Sequence, residues 1–126
     1  DEPVYIQDGR NTFGDWVLAC EQVAQIASPL TDRFSALLDA DLAAGKLTLR
    51  PFRPGDRFEP LGMPGQTVKL SDLFVNLKIP KRLRKRWPVL CVEAEIAWVP
   101  GLRMGERFKV SAQTERAIRL ELKRLP

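Results

Sequence analysis

Three Pro-Gly pairs, Pro54-Gly55, Pro64-Gly65 and Pro100-Gly101, cut the middle of this chain into short pieces. Proline presets φ for the second position of a turn, and glycine accepts the positive φ that a type II turn requires at the third. A chain that reverses this often has room for short strands and a few helical turns, not for a helical bundle. Its 126 residues fit one domain around one core.

Hydrophobic periodicity fills the pieces between the turns. Phe13 to Val23 alternates around Trp16, Leu18 and Cys20, which predicts a half-buried strand, interrupted further on by Pro29. Asp32 to Leu42 fits a short helix or a buried strand, and periodicity leaves both open. Gly45 turns the chain into a clearer strand over Lys46 to Phe52. Ser71 is placed to cap a helix running to Leu77, with Asp72 at its positive end and Leu73, Phe74 and Leu77 on one stripe. Pro80 suits the first turn of a second helix, which must end near Trp87 because Pro88 disfavours helical geometry before it. In that helix Leu83 and Trp87 share a face and would anchor it. Two strands, Pro88 to Ala94 and Glu95 to Gly101, form a hairpin through Glu93 to Glu95, and further strands follow at Glu106 to Ser111 and Arg116 to Leu125. Gly55-Asp56-Arg57-Phe58 is echoed by Gly105-Glu106-Arg107-Phe108, which predicts the same turn-into-strand chemistry twice. The expected class is mainly β, α+β by content, with one or two short helices around 71–87.

Charge is unevenly spread. Residues 1–49 hold eight acids and three bases, a net of −5, whereas residues 50–126 hold seventeen bases and eight acids, a net of +9. Such asymmetry points to a polyanionic partner for the second half. Lys78, Lys81, Arg82, Arg84, Lys85 and Arg86 fall within nine residues that contain no acid. Like charges at i, i+4 repel by a few tenths of a kcal/mol per pair, roughly, and the phosphates of an A-form RNA stem would relieve them. The competing account is a merely solvated helix face. Arg53 and Arg57 flank Pro54-Gly55, Lys69 precedes Ser71, and Arg103 and Arg107 follow Pro100-Gly101. All five are further RNA candidates, although Arg53 and Arg57 could equally pair with Asp56. Phe58, Phe74, Trp87 and Trp98 read as core rather than as base-stacking platforms, and Asp56, Asp72, Asp39 and Asp41 as turn and cap residues rather than metal ligands.

The absence of histidine removes the commonest general base, and no phosphate-binding glycine loop of the GxxxxGK[ST] or Ser-Gly-Gly-x-Asp-Ser type is present, so the chain has no visible way to hold ATP. Cys20 and Cys91 have neither metal-ligand spacing nor the spacing of a secreted disulfide framework, and read as reduced core residues of a cytosolic protein. No segment approaches the roughly 20 apolar residues of a membrane helix. The start, DEPVYIQDGR, reads as the beginning of an excised piece.

The residues Arg53-Pro54-Gly55-Asp56-Arg57-Phe58, Leu61-Gly62-Met63, Lys69-Leu70-Ser71-Asp72, Lys78-Ile79-Pro80, Arg86 with Pro88, and Trp98-Val99-Pro100-Gly101 are ordered as in one family. Over about Leu38 to Leu122 the chain resembles the C-terminal domain of tRNA(Ile)-lysidine synthetase, with residues 1–37 as a leading strand and connector. Glu93-Ala94-Glu95 departs from that pattern, standing where a glycine-bearing turn is expected. The resemblance implies a layered β-sandwich of the kind shared with a phenylalanyl-tRNA synthetase β-chain domain. It also implies a whole enzyme that uses ATP, Mg2+ and lysine to convert the wobble cytidine of a CAU-bearing tRNA(Ile) to lysidine in the cytoplasm. That chemistry belongs to an N-terminal pyrophosphate-loop domain absent from this chain, whose own part would be to hold the tRNA without catalytic residues or cofactor. The implied partners are tRNA(Ile) and the catalytic domain, with homodimerisation left open and no membrane. The rival reading is a protein-interaction module that docks the catalytic or linker domain. An independent small-molecule enzyme has only surface carboxylates in its favour.

Overall fold

The computed structural model describes residues 3–24 and 32–126. Eleven strands and two short helices follow in order among them: β1 Val4–Tyr5, β2 Gly9–Phe13, β3 Trp16–Val23, β4 Ser35–Asp39, β5 Leu47–Pro51, β6 Arg57–Phe58, β7 Val68–Lys69, α1 Leu70–Asn76, α2 Lys81–Arg84, β8 Pro88–Val92, β9 Glu95–Val99, β10 Arg103–Met104 and β11 Ala117–Arg124. One antiparallel sheet has the order β1-β5-β8-β9-β10, a second β2-β3-β11-β4, and β6 and β7 form a separate ribbon. The mainly β, layered sandwich expected from the sequence is the fold observed.

Its layers follow from alternation. On β11, Ile118, Leu120 and Leu122 point inward while Arg119 and Lys123 face water, and Leu18 and Cys20 of β3 lie beside them in one core with Ala36, Leu38, Leu49, Leu90, Val92 and Trp98. The five-stranded sheet is covered on its other face too. Val89 and Cys91, the odd residues of β8, join Ile96 and Val99 of β9 in a second core, closed by Phe58, Leu70 and Phe74. That double burial is why Pro88–Val92 is buried at every position. Between Leu90 and Cys91 the register to β9 slips, so that Leu90 pairs with Trp98 and Cys91 with Ile96. The extra residue, Ala97, puts two neighbours, Ala97 and Trp98, into the first core and sends Ile96 and Val99 to the second.

Several local expectations are corrected. Phe13 to Val23 is not one strand: Gly14 at φ 56° turns the chain, so that Phe13 closes β2 and pairs with Trp16 of β3. The segment left open between helix and strand is β4, an edge strand whose Ser35 to Asp39 are buried or half-buried. Ser71 caps nothing. Lys69 occupies the cap position, without a side-chain hydrogen bond, because Leu70 already enters the helix to fill the second core. The second helix ends at Arg84, and Leu83, expected as an anchor, is 44% exposed. Trp87 alone anchors that end, packed edge-on to Phe74 and donating its indole N–H to the carbonyl of Pro100 at 3.0 Å. Glu106 to Ser111 forms no strand: Phe108 plugs the first core and Lys109 makes a single bridge to Leu38. The echoed Gly-acid-Arg-Phe motifs therefore share a buried Phe, not a strand. Glu93 does stand in a two-residue hairpin turn at φ 54°, a left-handed position that glycine usually fills. Pro29 lies outside the described residues.

Candidate nucleic-acid interface

The second core carries a cap made of the β6–β7 ribbon, α1 and α2, and most of the cations singled out in the sequence sit on it. Phe58, Leu70 and Phe74 fix the cap, each fully or almost fully buried, which is worth about 1.5–3 kcal/mol apiece. Its entrance is braced by Arg50 of β5. The Arg50 guanidinium donates two bonds to Asp56, at 3.0 and 2.9 Å, with both side chains only 11% exposed. Asp56 also accepts the Arg53 backbone N–H at 2.8 Å, and its own carbonyl accepts the N–H of Leu70 at 2.9 Å. Asp56 therefore pairs with Arg50 rather than with Arg53 or Arg57. It locks the Pro54-Gly55 turn and the start of α1 to the sheet, leaving the Arg53 side chain exposed.

Where α1 stops, the cations begin. Lys78 takes φ 57°; its N–H bonds to the carbonyl of Val75, at 3.0 Å, and that of Ile79 to Phe74, at 2.9 Å. These two bonds form a Schellman stop, with lysine in the left-handed position where glycine is usual and Ile79 packed back on the core of Phe74. Pro80 then opens α2 at once, and the short helix holds Lys81, Arg82 and, just beyond its end, Lys85 at the surface.

The six-cation run is divided by this geometry. Lys78, Lys81, Arg82 and Lys85 are exposed and form no ion pair among the described residues. Arg84 is half-buried: its Nε donates to the carbonyl of Ile79 at 2.8 Å and its guanidinium lies 6.0 Å from the Phe74 ring, so it ties the two helices together. Arg86 lies away from the others, lining a cleft with Arg124 and Trp16. The flanking candidates divide as well. Arg57 and Lys69 are directly paired across the β6–β7 ribbon, and both line a groove of about 450 Å³ with Arg103, Asp72 and Asn76. Arg57 is held by Thr67, through bonds of 3.3–3.4 Å, and Arg103 reaches the carbonyl of Leu61 at 3.2 Å. Arg107 is neutralised by Glu95 at 2.8 Å. Close by, Glu106 is held below the usual carboxylate range by its bond from Lys109 and by the N–H of Gly62, which removes Lys109 from the free cations.

What the cap offers is thus four unpaired cations around α2 and a basic groove at the foot of α1. Arg50, Arg124 and the Trp16 cleft escaped the sequence reading. Arg50 carried a signal, a lone cation inside an apolar strand, whereas the cleft joins segments that no local pattern connects. No cluster of three or more metal-ligating side chains occurs among the described residues, and no described helix is long and apolar enough to cross a membrane.

Comparison with known proteins agrees with this architecture. Residues 47–122, β5 through most of β11, match the family profile described as the TilS substrate C-terminal domain. The tRNA(Ile)-lysidine synthase of Clostridium acetobutylicum is 41% identical over 86 residues, 68% of this chain and 18% of that protein. Those of Caldanaerobacter subterraneus and Dehalococcoides mccartyi are 35% and 38% identical over 114 and 120 residues, covering 90% and 93% of this chain. The chain spans about a quarter or less of the length of these relatives, between 18% and 25%. A solved structure described as the crystal structure of TILS C-terminal domain superposes with a TM-score of 0.78 at 26% identity, covering 89% of this chain and 86% of the other. With the profile running through both sheets and the helical cap, the chain belongs to the TilS substrate C-terminal domain family.

Proposed function

We propose that this domain holds tRNA for a tRNA(Ile)-lysidine synthase and does no chemistry itself. The observation that carries the reading is the sorting of its cations. Arg50, Arg84, Arg107 and Lys109 have partners in the protein, while Lys78, Lys81, Arg82 and Lys85 stand exposed around α2, in a stretch without an acid, and form no ion pair among the described residues. A duplex RNA backbone supplies the missing counter-charges, and the A-form minor groove is read by shape and 2′-hydroxyls rather than by sequence. In the whole enzyme, on this reading, ATP, Mg2+ and lysine belong to a separate catalytic domain, tRNA(Ile) is the partner held here, and the work is done in the cytoplasm.

The test is binding of this chain to an acceptor-stem minihelix of tRNA(Ile) by fluorescence anisotropy. Lys81/Arg82/Lys85→Ala should weaken binding by tenfold or more, since each lost phosphate contact removes counterion release. A control variant of ion-paired cations, Arg107/Lys109/Arg116→Ala, should change it far less. Equal losses in the two variants would mean that net charge alone matters and would refute the assignment. A second reading, docking of the enzyme's own catalytic or linker domain, draws on the exposed Val75, Leu77 and Leu83 beside the cations, at 59%, 47% and 44% exposure. Salt-insensitive capture of that domain, lost in Leu77/Leu83→Ser, would favour it.

A further inference from the structure

A second basic site lies away from the helical cap, at the seam between the two sheets. The β2–β3 turn brings Phe13, Gly14, Asp15 and Trp16 to a cleft of about 320 Å³ that is also lined by Val4, Pro51, Arg86 and Arg124. Neither guanidinium forms an ion pair among the described residues, although Asp15 lies in the same cleft. Two cations facing one cleft with a single carboxylate leave it net positive.

The walls are held. Arg124 sits in register with Trp16 across β11 and β3, its guanidinium 5.3 Å from the indole ring, and that ring in turn stacks on Phe34 at 6.0 Å. The N–H of Leu125 bonds to the carbonyl of Asp15 at 2.7 Å and closes the end of β11 on the turn. Phe34, Trp16 and Arg124 thus form a layered stack at the cleft. Its size is at the lower end of small-ligand pockets, which start at about 300 Å³. A flat ring with an attached anion matches it. Guanidinium planes and aromatic rings stack on bases, and an unpaired guanidinium accepts a phosphate.

We infer that this cleft binds one unpaired nucleotide of RNA, its base against Phe13 and the plane of Arg124, beside Trp16, and its phosphate on Arg86. An ionised Asp15 can only accept hydrogen bonds. It therefore favours guanine, whose N1–H and N2–H2 lie side by side, over uracil, whose single N–H is flanked by carbonyls. This rests on the RNA-binding reading above, but it concerns single-stranded nucleotides rather than the duplex backbone and uses different residues.

The experiment compares this chain's affinity for a blunt RNA minihelix and for the same minihelix ending in one unpaired guanosine or uridine. The guanosine end should bind about tenfold tighter than the blunt form, in line with the stacking of one base, and tighter than the uridine end. Arg86/Arg124→Ala should abolish that gain while changing blunt affinity by no more than about twofold, and Lys81/Arg82/Lys85→Ala should weaken all three RNAs alike. Arg124→Lys, which keeps the charge and loses the plane, should lose most of the gain. As an independent readout, the Trp16 indole N–H resonance should move when guanosine monophosphate is added to the folded protein. Equal affinity for blunt and overhanging ends overturns the inference and leaves the duplex reading intact. A gain that survives Arg86/Arg124→Ala overturns the assignment to this cleft. Failure of all three RNAs to bind sinks both readings together.

Discussion

Replacing Asp56 with alanine should be among the most damaging polar substitutions in the domain. The Asp56 carboxylate accepts three bonds, two from Arg50 at 3.0 and 2.9 Å and one from the Arg53 N–H at 2.8 Å. Its removal leaves the Arg50 guanidinium 11% exposed and facing a void. Breaking one side of such a buried pair typically costs about 3–5 kcal/mol, most of it the stranded charge rather than the lost attraction. For a domain of this size that is a fall in Tm of roughly 10–20 °C. If stranding is the cause, Arg50→Met/Asp56→Ala should be more stable than Asp56→Ala, returning to within about 2 kcal/mol of the parent, because an apolar pair needs no counter-charge. Urea unfolding with a fixed m-value reads both numbers. An Asp56→Ala loss under about 1 kcal/mol, or a double variant no better than the single one, would refute the brace.

Other outcomes follow from the same structure. Lys78→Gly relieves a left-handed lysine at φ 57° and should be neutral or stabilising, by up to about 1 kcal/mol, while weakening RNA binding; a marked loss of stability would contradict the Schellman assignment. The bond from the Thr114 hydroxyl, at 2.7 Å, is the chief reason that the Asp39 carboxyl lies below its ordinary range, helped by the N–H groups of Leu42 and Asp41 against the opposing effect of burial. Its stabilisation is present above the unfolded value of about 3.9 and is lost as pH falls through the lower folded value, so the deficit of Thr114→Val should be largest at pH 6 and shrink on acidification to the part owed to the Ser111 N–H, which the Thr114 hydroxyl accepts at 2.8 Å. A gap that is flat with pH would argue against this linkage. Burial, with smaller contributions from Asp8 and Glu21, pushes the Cys20 thiol up to about 11, so at pH 8 the native protein should resist a disulfide reagent at this position and react fully in urea.

The strands that alternate cleanly were legible in the residues. Ile118, Leu120 and Leu122 against Arg119, Glu121 and Lys123 define β11, and Leu47 and Leu49 define β5. What escaped depends on contacts distant in sequence. Glu106 to Ser111 has strand composition, yet Phe108 is needed as a plug, and that requirement comes from Leu38 across the core. Leu83 has the spacing of an anchor to Trp87, but α2 is a single turn, so the i, i+4 relation lapses before Trp87 turns in. The candidate site was half legible. The acid-free run located the cap, whereas the division of its cations depends on Ile79, Phe74 and the seam near Trp16, which charge counting cannot see. Arg124 was hidden because an arginine in an alternating strand looks alike whether it lines a cleft or faces water, whereas Arg50 stood out only as a lone cation in an apolar strand, with nothing local to name Asp56 as its partner.

The most direct test of the cap's role is the dependence of RNA affinity on salt. Four cations, Lys78, Lys81, Arg82 and Lys85, each neutralising one phosphate, give a slope of log K against log salt of roughly −2.8 to −3.6. Each single alanine variant among them should reduce that slope by about 0.7–0.9, whereas Arg84→Ala should leave it nearly unchanged after allowing for lost stability. A wild-type slope shallower than about −1, or one equally sensitive to Arg84 and Lys81, would contradict the claim that these four residues hold the RNA backbone.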